Sequence, residues 1–226
     1  MTAHYKDLLQ HSDVVEMPTV ASSARGIYRN GGKRLLDLLL ILAALPFVLP
    51  LIAIMALLVA TDGGNPFYSQ KRLGRNGRIY TMWKMRSMVV DADARLDDHL
   101  EADPAARAEW DAAQKLKCDP RITRVGRLLR KSSIDELPQL WNVITGDMSL
   151  VGPRPMMPQQ QPLYPGSAYF ALRPGITGPW QVSARNDSTF AERAVFDEAY
   201  QRRLSFSNDL RLLVATVRVV LRGTGY

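Results

Sequence analysis

The sequence predicts a predominantly helical α+β fold. A proline-broken, re-entrant membrane helix is expected to join a cytoplasmic domain that contains a small β-hairpin and surface-lying helices. Three observations predict this fold. Residues 38–60 contain no charged side chain, two strand-like segments flank an Asn-Gly pair, and segments rich in Ala, Asp and Glu follow them. The 226 residues suit one or two compact domains.

The N-terminal part of the chain is predicted to form a tail and a membrane anchor. Residues 1–24 are polar and show no periodicity, which indicates a flexible cytoplasmic tail. Residues 25–62 contain the apolar run, which is long enough for a transmembrane helix. Pro46 and Pro50 lie near its middle. Because each proline removes a backbone donor and clashes with the preceding turn, we expect a sharp kink.

The path of the anchor is predicted from its length and its flanking charges. If it breaks at Pro50, each half reaches only about 15–18 Å, well short of the ~30 Å hydrocarbon layer. Basic residues lie on both sides of the run, whereas a spanning helix carries them mostly on its cytoplasmic side. The sequence therefore favours a re-entrant helix that enters and leaves at the cytoplasmic face. A simple kinked span is the alternative.

Three charged residues at helical spacing, Lys33, Arg34 and Asp37, precede the apolar run. Asp37 can pair with both bases, which lie three and four residues before it. Such pairing would neutralise a carboxylate at the membrane boundary. A solvated helix start is an equally weighted interpretation.

Residues 63–226 are predicted to form the cytoplasmic domain, which begins with a hairpin. The segments FYSQKRL (67–73) and RIYTMWKM (78–85) enclose Gly74-Arg75-Asn76-Gly77, where Asn-Gly favours a tight turn between two strands.

The rest of this domain is predicted to be helices and loops. Residues 89–116 should form two surface helices separated by an Asp-Pro pair, and a third helix is expected near 123–130. Residues 146–178 are rich in Gly and Pro, which predicts loops that display binding residues. Residues 210–221 predict either a helix on the membrane surface with snorkelling arginines or a terminal core helix.

The strongest candidate site is the segment SSIDELPQL (132–140). Ser133 and Glu136 have the spacing of a capping box, which would place Asp135 and Glu136 at a helix N-terminus. Backbone donors there can hold phosphate oxygens. Two adjacent carboxylates suit a magnesium ion shared with substrate phosphates, and an ionised Asp can attack phosphorus as a nucleophile. Plain helix capping is the alternative for this segment taken alone.

Basic side chains occur in several segments before and after this acidic pair. Arginines in Gly/Pro-rich loops are effective bidentate clamps for phosphate, so the pattern predicts a diphosphate substrate. Each arginine taken singly can instead be a surface salt-bridge partner. The candidate phosphate ligands are Lys84, Arg86, Arg130, Arg154, Arg173 and Arg185.

The composition excludes several other classes of protein. Cys118 is the single cysteine, so the chain has no internal disulfide, and no Cys/His cluster is present to hold zinc. The net charge of +7 is spread over the anchor flanks and the loops, without a recognisable nucleic-acid-binding motif. Nucleic acid is therefore not an expected partner.

Taken together, these segments resemble the bacterial sugar transferase family, whose members act on polyprenyl phosphates at the membrane. The resemblance covers about residues 31–226, and DELPQL followed by SLVGPRP is its most specific part. The short length resembles the minimal type that initiates exopolysaccharide assembly. The matching motifs are Lys33-Arg34…Asp37 before the apolar helix, KMRSM (84–88), SSIDELPQLWNV (132–143), GDMSLVGPRP (146–155) and RPGITGPWQVSAR (173–185).

The resemblance implies that a sugar-1-phosphate passes from a UDP-sugar to undecaprenyl phosphate, with release of UMP and a requirement for Mg²⁺. UDP-galactose and UDP-glucose are the expected donors. The family's Asp-Glu pair corresponds to Asp135 and Glu136. Asp135 would form a covalent phosphosugar intermediate, and Glu136 would assist with metal placement or proton handling.

The resemblance also implies a location and partners. Residues 63–226 would be the catalytic domain, on the cytoplasmic face of the bacterial inner membrane. A homodimer and downstream glycosyltransferases are further expected partners. A catalytically inactive membrane-bound scaffold or regulator of polysaccharide synthesis is the alternative, against which the intact Asp135-Glu136 pair argues.

Overall fold

Helices predominate in the computed structural model, which describes residues 26–61, 63–113, 116, 118–183 and 189–221. The predicted tail lies outside these residues. The helices are α1 (Lys33–Ala60), α2 (Ala92–Ala102), α3 (Pro104–Ala113), α4 (Arg124–Ser132), α5 (Gln139–Thr145), α6 (Ala168–Ala171), α7 (Pro179–Ser183), α8 (Arg193–Arg202) and α9 (Phe206–Leu221). The strands are β1 (Phe67–Leu73), β2 (Ile79–Met85), β3 (Ser149–Val151) and β4 (Gly175–Thr177).

The apolar run forms one helix, α1, which follows a π-helical turn at Tyr28–Gly32. Pro46 and Pro50 both lie inside α1, so the prediction of two half-helices separated at Pro50 is wrong. A proline removes only its own N–H from the hydrogen-bond ladder, and the helical backbone can continue past it. By length and composition, this helix could cross a membrane.

The fully buried side chains of α1 lie near its two ends. Ile41 packs with Met82 of β2 in one cluster, and Met55 packs with Met85 of the same strand in another. The side chains of the middle of the helix face outward, and Phe47 is 79% exposed. Both ends of the apolar helix are therefore attached to one folded domain, while its centre is free to meet lipid.

The predicted hairpin is confirmed. β1 and β2 pair antiparallel, with Arg72 opposite Tyr80 and Tyr68 opposite Lys84. Asn76 has a φ of 58° and Gly77 a φ of 74°, the left-handed values that a tight hairpin turn needs. Residues directly opposite one another share a face, so Arg72 and Lys84 lie on the same face of the hairpin.

The predicted surface helices are confirmed as α2 and α3, which are separated at Asp103. The third predicted helix is α4, whose N-cap Thr123 accepts a hydrogen bond from the Gly126 N–H at 2.8 Å. A Cβ atom on Gly126 would overlap the backbone of Ser87. The glycine therefore lets α4 approach the chain that leaves β2.

The region predicted to consist of loops contains a short parallel sheet that the sequence analysis missed. β3 pairs with β4, with Ser149 opposite Gly175. Glycines make this pairing possible, because a Cβ atom on Gly152, Gly175 or Gly178 would overlap neighbouring main-chain atoms. The Gly/Pro motifs thus hold two backbone segments in close contact.

The charged residues at the start of α1 have different partners from those predicted. Asp37 is buried and accepts hydrogen bonds from Ser149 Oγ at 2.7 Å and from the Leu150 N–H at 3.2 Å. Neither the expected local ion pairs of Asp37 nor a solvated helix start is found. The folded domain covers this turn of the helix, so the carboxylate requires hydrogen-bond donors from β3.

Lys33 and Arg34, the two bases that were expected to pair with Asp37, have other hydrogen-bond partners. The Arg34 guanidinium donates to the carbonyls of Val143 and Ile144 in the last turn of α5. An arginine at this position satisfies carbonyls that have no partner within the helix.

Lys33 belongs to a buried network with α9. Asp209 is 1% exposed and accepts hydrogen bonds from Lys33 Nζ at 2.6 Å, Tyr28 Oη at 2.6 Å and Tyr200 Oη at 2.7 Å. One carboxylate thus joins the start of the anchor to the C-terminal helices.

We predict that Asp209→Ala destabilises the protein by about 3–5 kcal/mol, because it removes the acceptor shared by the partly buried Lys33 and two buried tyrosine hydroxyls. Of these donors, Tyr200 keeps the Val151 carbonyl as a second acceptor. Asp209→Asn retains one acceptor and should cost less. Urea unfolding of the detergent-solubilised protein, followed by circular dichroism, measures the difference.

The matched control is Glu198→Ala, which removes a carboxylate that is paired with Arg202 at 3.7 Å on the exposed surface. It should change the free energy of unfolding by less than about 0.5 kcal/mol. Equal effects of the α9 and the surface variants would contradict the prediction.

Candidate active site

The acidic pair lies in a 3₁₀ turn, Ile134–Glu136, between α4 and α5. The predicted capping box is not formed. Ser133 has a φ of 57° and is the C-cap of α4, and its side chain makes no capping hydrogen bond. α5 begins later, with Pro138 as its N-cap. The two carboxylates are therefore held by a sharp turn that precedes the helix rather than by its first residues.

Charged side chains surround the buried carboxylate of Asp135, which is only 8% exposed. Burial raises its pKa, the nearby Lys84 opposes this rise, Glu136 adds to it and Arg130 opposes it. Lys84 Nζ also forms an ion pair with Glu136 Oε1 at 2.9 Å. The structure thus brings four of the predicted site residues together: two acids and two bases.

Two elements position the bases of this site. Lys84 lies on the face of β2 that carries Tyr80 and Met82, both of them buried. Arg130 lies on α4, where its Nε donates to Ser87 Oγ at 2.9 Å. Because Ser87 lies two residues after the end of β2, the strand and α4 orient both cations toward the turn.

Asn142 ties α5 to the free edge of β2. Its Oδ1 accepts the Trp83 N–H at 3.0 Å, and its Nδ2 donates to the Thr81 carbonyl at 2.7 Å. The side chain is 2% exposed. Because α5 follows directly on the acidic turn, this amide fixes the turn relative to Lys84.

Arg154 lies in a second basic cluster. Its guanidinium carbon is 5.5 Å from the centre of the Trp180 ring, and that of Arg193 is 4.4 Å from the same ring. Arg72 lies close enough to Arg154 that their like charges interact. Burial, together with Arg154, lowers the pKa of Arg193 to about 10.

Two buried nitrogens of this second cluster, Nε of Arg72 and Nε of Arg193, have no hydrogen-bond partner in the described part of the chain. Arg72 is opposite Tyr80, four residues before Lys84. At about 3.3 Å per residue, the cluster lies roughly 13 Å along the strand from Lys84, which pairs with Glu136. Three convergent guanidiniums with spare donors suit an anion.

The remaining predicted phosphate ligands have other surroundings. The Arg86 guanidinium donates to the carbonyls of Asn65 at 2.7 Å, Met88 at 3.2 Å and Val59 at 3.1 Å, so it joins the end of α1 to the hairpin. Arg173 Nε donates to the Gly146 carbonyl at 2.9 Å. Arg185 lies outside the described residues.

The sequence analysis did not select Arg72 or Arg193. Arg72 occurs in a strand and Arg193 in a helix, away from the Gly/Pro-rich motifs, and only the fold brings them to Arg154. Ser87, inside the motif KMRSM, was also overlooked as the residue that orients Arg130.

A metal ion would have few protein ligands here. Among the described residues, no group of three or more His, Cys, Asp or Glu side chains is arranged to hold one. Mg²⁺ commonly binds one or two carboxylates and takes its other ligands from substrate phosphates and water. Asp135 and Glu136 fit this pattern, and the burial that raises the pKa of Asp135 makes a neighbouring cation favourable.

A comparison with protein families identifies the class. Residues 28–223 match the bacterial sugar transferase family. The match covers most of the chain, and this chain belongs to that family.

Three individual members make the comparison with this family more specific. The UDP-galactose-lipid carrier transferase of Erwinia amylovora is 48% identical over 195 residues, which is 85% of this chain and 41% of that protein. The undecaprenyl-phosphate galactose phosphotransferase of Salmonella typhimurium is 45% identical over the same shares. The exopolysaccharide production protein ExoY of Rhizobium meliloti is 44% identical over 85% of this chain and 87% of its own length. The chain thus spans about two-fifths of the first two relatives.

A further buried acid lies beside the second cluster. Asp197 is 3% exposed, accepts a hydrogen bond from Tyr164 Oη at 2.9 Å and lies near Arg193. Burial raises its pKa from 3.8 to about 7, although Tyr164 and Arg193 oppose the rise. Between about pH 4 and 7, the folded protein therefore keeps a proton on this carboxyl, whereas the unfolded chain has lost it.

We predict that Asp197 makes the folded protein less stable as the pH rises from 5 to 7.5, because more of the unfolded chain's carboxyl is ionised throughout this range. Between pH 5 and 7.5 the loss amounts to about 2.5 kcal/mol, at about 1.4 kcal/mol for each pH unit below the raised pKa. Asp197→Asn, which can still accept the Tyr164 hydrogen bond, should lose much less stability over the same range. Thermal unfolding at both pH values measures this.

Glu198→Gln, an exposed neighbour on α8, is the control and should follow the wild-type pH dependence. Parallel pH profiles for wild type and Asp197→Asn would contradict the assignment.

Proposed function

We propose that this protein transfers a sugar-1-phosphate from a UDP-sugar to undecaprenyl phosphate and releases UMP, as the first membrane step of exopolysaccharide assembly. The observation that carries the proposal is the buried carboxylate of Asp135, set beside Lys84, Glu136 and Arg130. The names of the relatives support a galactose donor, so UDP-galactose is the first donor to test and UDP-glucose the second.

Asp135 is the proposed nucleophile. A carboxylate oxygen attacks the sugar-bearing phosphorus of the donor, a new O–P bond forms, and the bond from that phosphorus to the UMP oxygen breaks. The phosphate oxygen of undecaprenyl phosphate then attacks the same phosphorus. The bond to Asp135 breaks, the carboxylate is restored, and the sugar leaves on a lipid diphosphate.

The neighbouring groups have complementary roles. Lys84 and Arg130 oppose the burial that raises the pKa of Asp135, and they provide positive charge where the phosphoryl group is transferred. Glu136, together with Asp135, would hold Mg²⁺, which when bound supplies further positive charge to the donor diphosphate. Lys84 also orients Glu136 through their ion pair.

Arg154 is the proposed contact for a more distant phosphate of the substrates, supported by Arg72 and Arg193 around Trp180. Arg173 remains a proposed phosphate contact, although its charged neighbours are Arg75, Arg34 and Asp37 rather than the acidic pair. Arg86 is not among the proposed phosphate contacts, because its guanidinium already donates to three carbonyls. Arg185, a homodimer and downstream glycosyltransferases remain predictions.

We also propose that α1 is re-entrant and that the catalytic domain lies on the cytoplasmic face of the bacterial inner membrane. A straight helix would separate Ile41 from Met55 by about 21 Å. Their packing partners, Met82 and Met85, are only about 10 Å apart along β2. Attachment of both ends to one strand favours a helix that bends at its prolines and has both ends on one side.

We predict that Asp135→Asn abolishes transfer of label from radiolabelled UDP-galactose to undecaprenyl phosphate, because the amide cannot act as the nucleophile. The assay requires detergent-solubilised protein and Mg²⁺. Wild-type protein quenched during turnover should carry a phosphosugar on Asp135, detectable by mass spectrometry of its peptides.

The control, Asp97→Asn, removes an exposed carboxylate on α2 and should retain wild-type transfer. Full activity of Asp135→Asn would exclude the nucleophile. Absence of transfer by the wild type with every UDP-sugar tested would favour the inactive scaffold.

We predict that both ends of the anchor are cytoplasmic. In a Cys118→Ser background, Asn30→Cys and Thr61→Cys place single thiols at exposed positions before and after the apolar part of α1. In intact cells, a membrane-impermeant maleimide should label neither, and it should label both after permeabilisation. Labelling of one position in intact cells would establish a spanning helix instead.

A further inference from the structure

A buried ion pair, Asp119 with Arg121, lies in the turn before α4 and is not used by the proposed function. The Arg121 guanidinium donates twice to the Asp119 carboxylate, from Nε to Oδ1 at 2.9 Å and from Nη2 to Oδ2 at 2.7 Å. The two side chains are only 6% and 5% exposed. A buried ion pair often adds little net stability, which points to a role in holding neighbouring groups in place.

The same carboxylate fixes the backbone of the turn. Asp119 Oδ1 also accepts the Arg121 N–H at 3.0 Å. The Arg121 carbonyl in turn accepts the Val89 N–H at 2.9 Å. Next to it, the Thr123 N–H donates to the Ser87 carbonyl at 3.1 Å. The chain segments that enter and leave the surface helices α2 and α3 are thereby held together in an antiparallel pairing.

Ser87 joins this turn to the acidic site. Its hydroxyl accepts the hydrogen bond from Arg130 Nε at 2.9 Å, and the residue is buried. Asp135 and Asp119 both attract the positive charge of Arg130, whereas Arg121 repels it less strongly. The ion pair therefore acts on Arg130 through its charges as well as through the backbone that carries Ser87.

Trp110 of α3 covers the ion pair. The Arg121 guanidinium carbon is 5.4 Å from the centre of the Trp110 ring, within the range of a cation–π contact. The ring also packs with Leu96 and Leu100 in the small apolar cluster of the two surface helices. Because water is largely excluded from the pair, its charges act on their neighbours more strongly than exposed charges would.

We propose that Asp119 and Arg121 are positioning residues for the transfer of the sugar phosphate, because they keep the Arg130 guanidinium beside Asp135. The inference rests on the proposed function, in which Arg130 supplies positive charge to the transferred phosphoryl group. The pair acts through Arg130 rather than by contact with the substrate. Charge that is already in position needs no rearrangement during the reaction, so its loss should slow the chemical step.

The first test compares Asp119→Asn with the wild type in the half-reaction that forms the phosphosugar intermediate. UMP release from UDP-galactose is measured in a single turnover, with Mg²⁺ and without the lipid acceptor. The amide keeps an acceptor for Arg121 but removes the negative charge. We expect the rate to fall about 10- to 100-fold, as when a group that aligns the reacting atoms is misplaced. The UDP-galactose concentration that gives the half-maximal rate should change less than about threefold, because the substrate contacts remain.

A double-mutant cycle with Arg130→Gln separates positioning from a merely structural role. If the pair acts through Arg130, Asp119→Asn should have little further effect in the Arg130→Gln background. Equal fold losses in the two backgrounds would overturn the proposal. Asp119→Glu should restore part of the rate, and Asp111→Asn, an exposed position on α3, is the control that should keep the wild-type rate.

Asp119→Asn leaves a buried arginine without its counter-charge, so a second variant is needed. The double variant Asp119→Asn, Arg121→Gln removes both charges and should still slow the half-reaction, while urea unfolding shows that it is folded. A wild-type rate in this folded variant would contradict the positioning role. A wild type that releases no UMP from any UDP-sugar would remove the proposed function and this role with it. A normal rate for Asp119→Asn beside an active wild type would overturn the inference alone.

Discussion

The architecture depends on satisfying two buried carboxylates near the start of the apolar helix. Asp37 requires donors from β3, and Asp209 requires Lys33 and two tyrosine hydroxyls from separate parts of the chain. An unpaired charge at these positions would be very costly. The first turns of the anchor, β3 and α9 must therefore meet at one place, and the direction in which the anchor leaves the domain follows from that meeting.

β2 connects the anchor to the acidic turn, so the position of the anchor also determines where the acidic turn lies. Its residues Met82 and Met85 pack with the two ends of α1. Lys84 lies between them, and the free edge of the strand is held by Asn142. The residue that follows the strand by two positions, Ser87, supports Arg130. A single seven-residue strand thus relates the membrane helix, the acidic pair and its bases to one another.

The sequence predicted those features that depend on neighbouring residues. Asn76-Gly77 determined the hairpin turn, and the Asp103-Pro104 pair separated two surface helices. The acidic pair was expected in the first turn of a helix, whereas it lies in a 3₁₀ turn before α5. Contacts between distant residues were not predictable from one sequence. The donors to Asp37 lie 112 and 113 residues away, so local spacing suggested Lys33 and Arg34 instead. For the same reason, the sequence did not predict that Arg72 and Arg193 lie beside Arg154.

The interlocked glycines of β3 and β4 limit how this family member could acquire a new specificity. Because Gly152, Gly175 and Gly178 have no room for even a methyl group, the two backbone segments around the GPRP loop cannot separate or slide without losing their pairing. Adaptation to another donor would then have to proceed through exchange of the side chains that project from a rigid frame. Insertions in the frame itself would be selected against, and the length between these glycines should be among the slowest features of the chain to change.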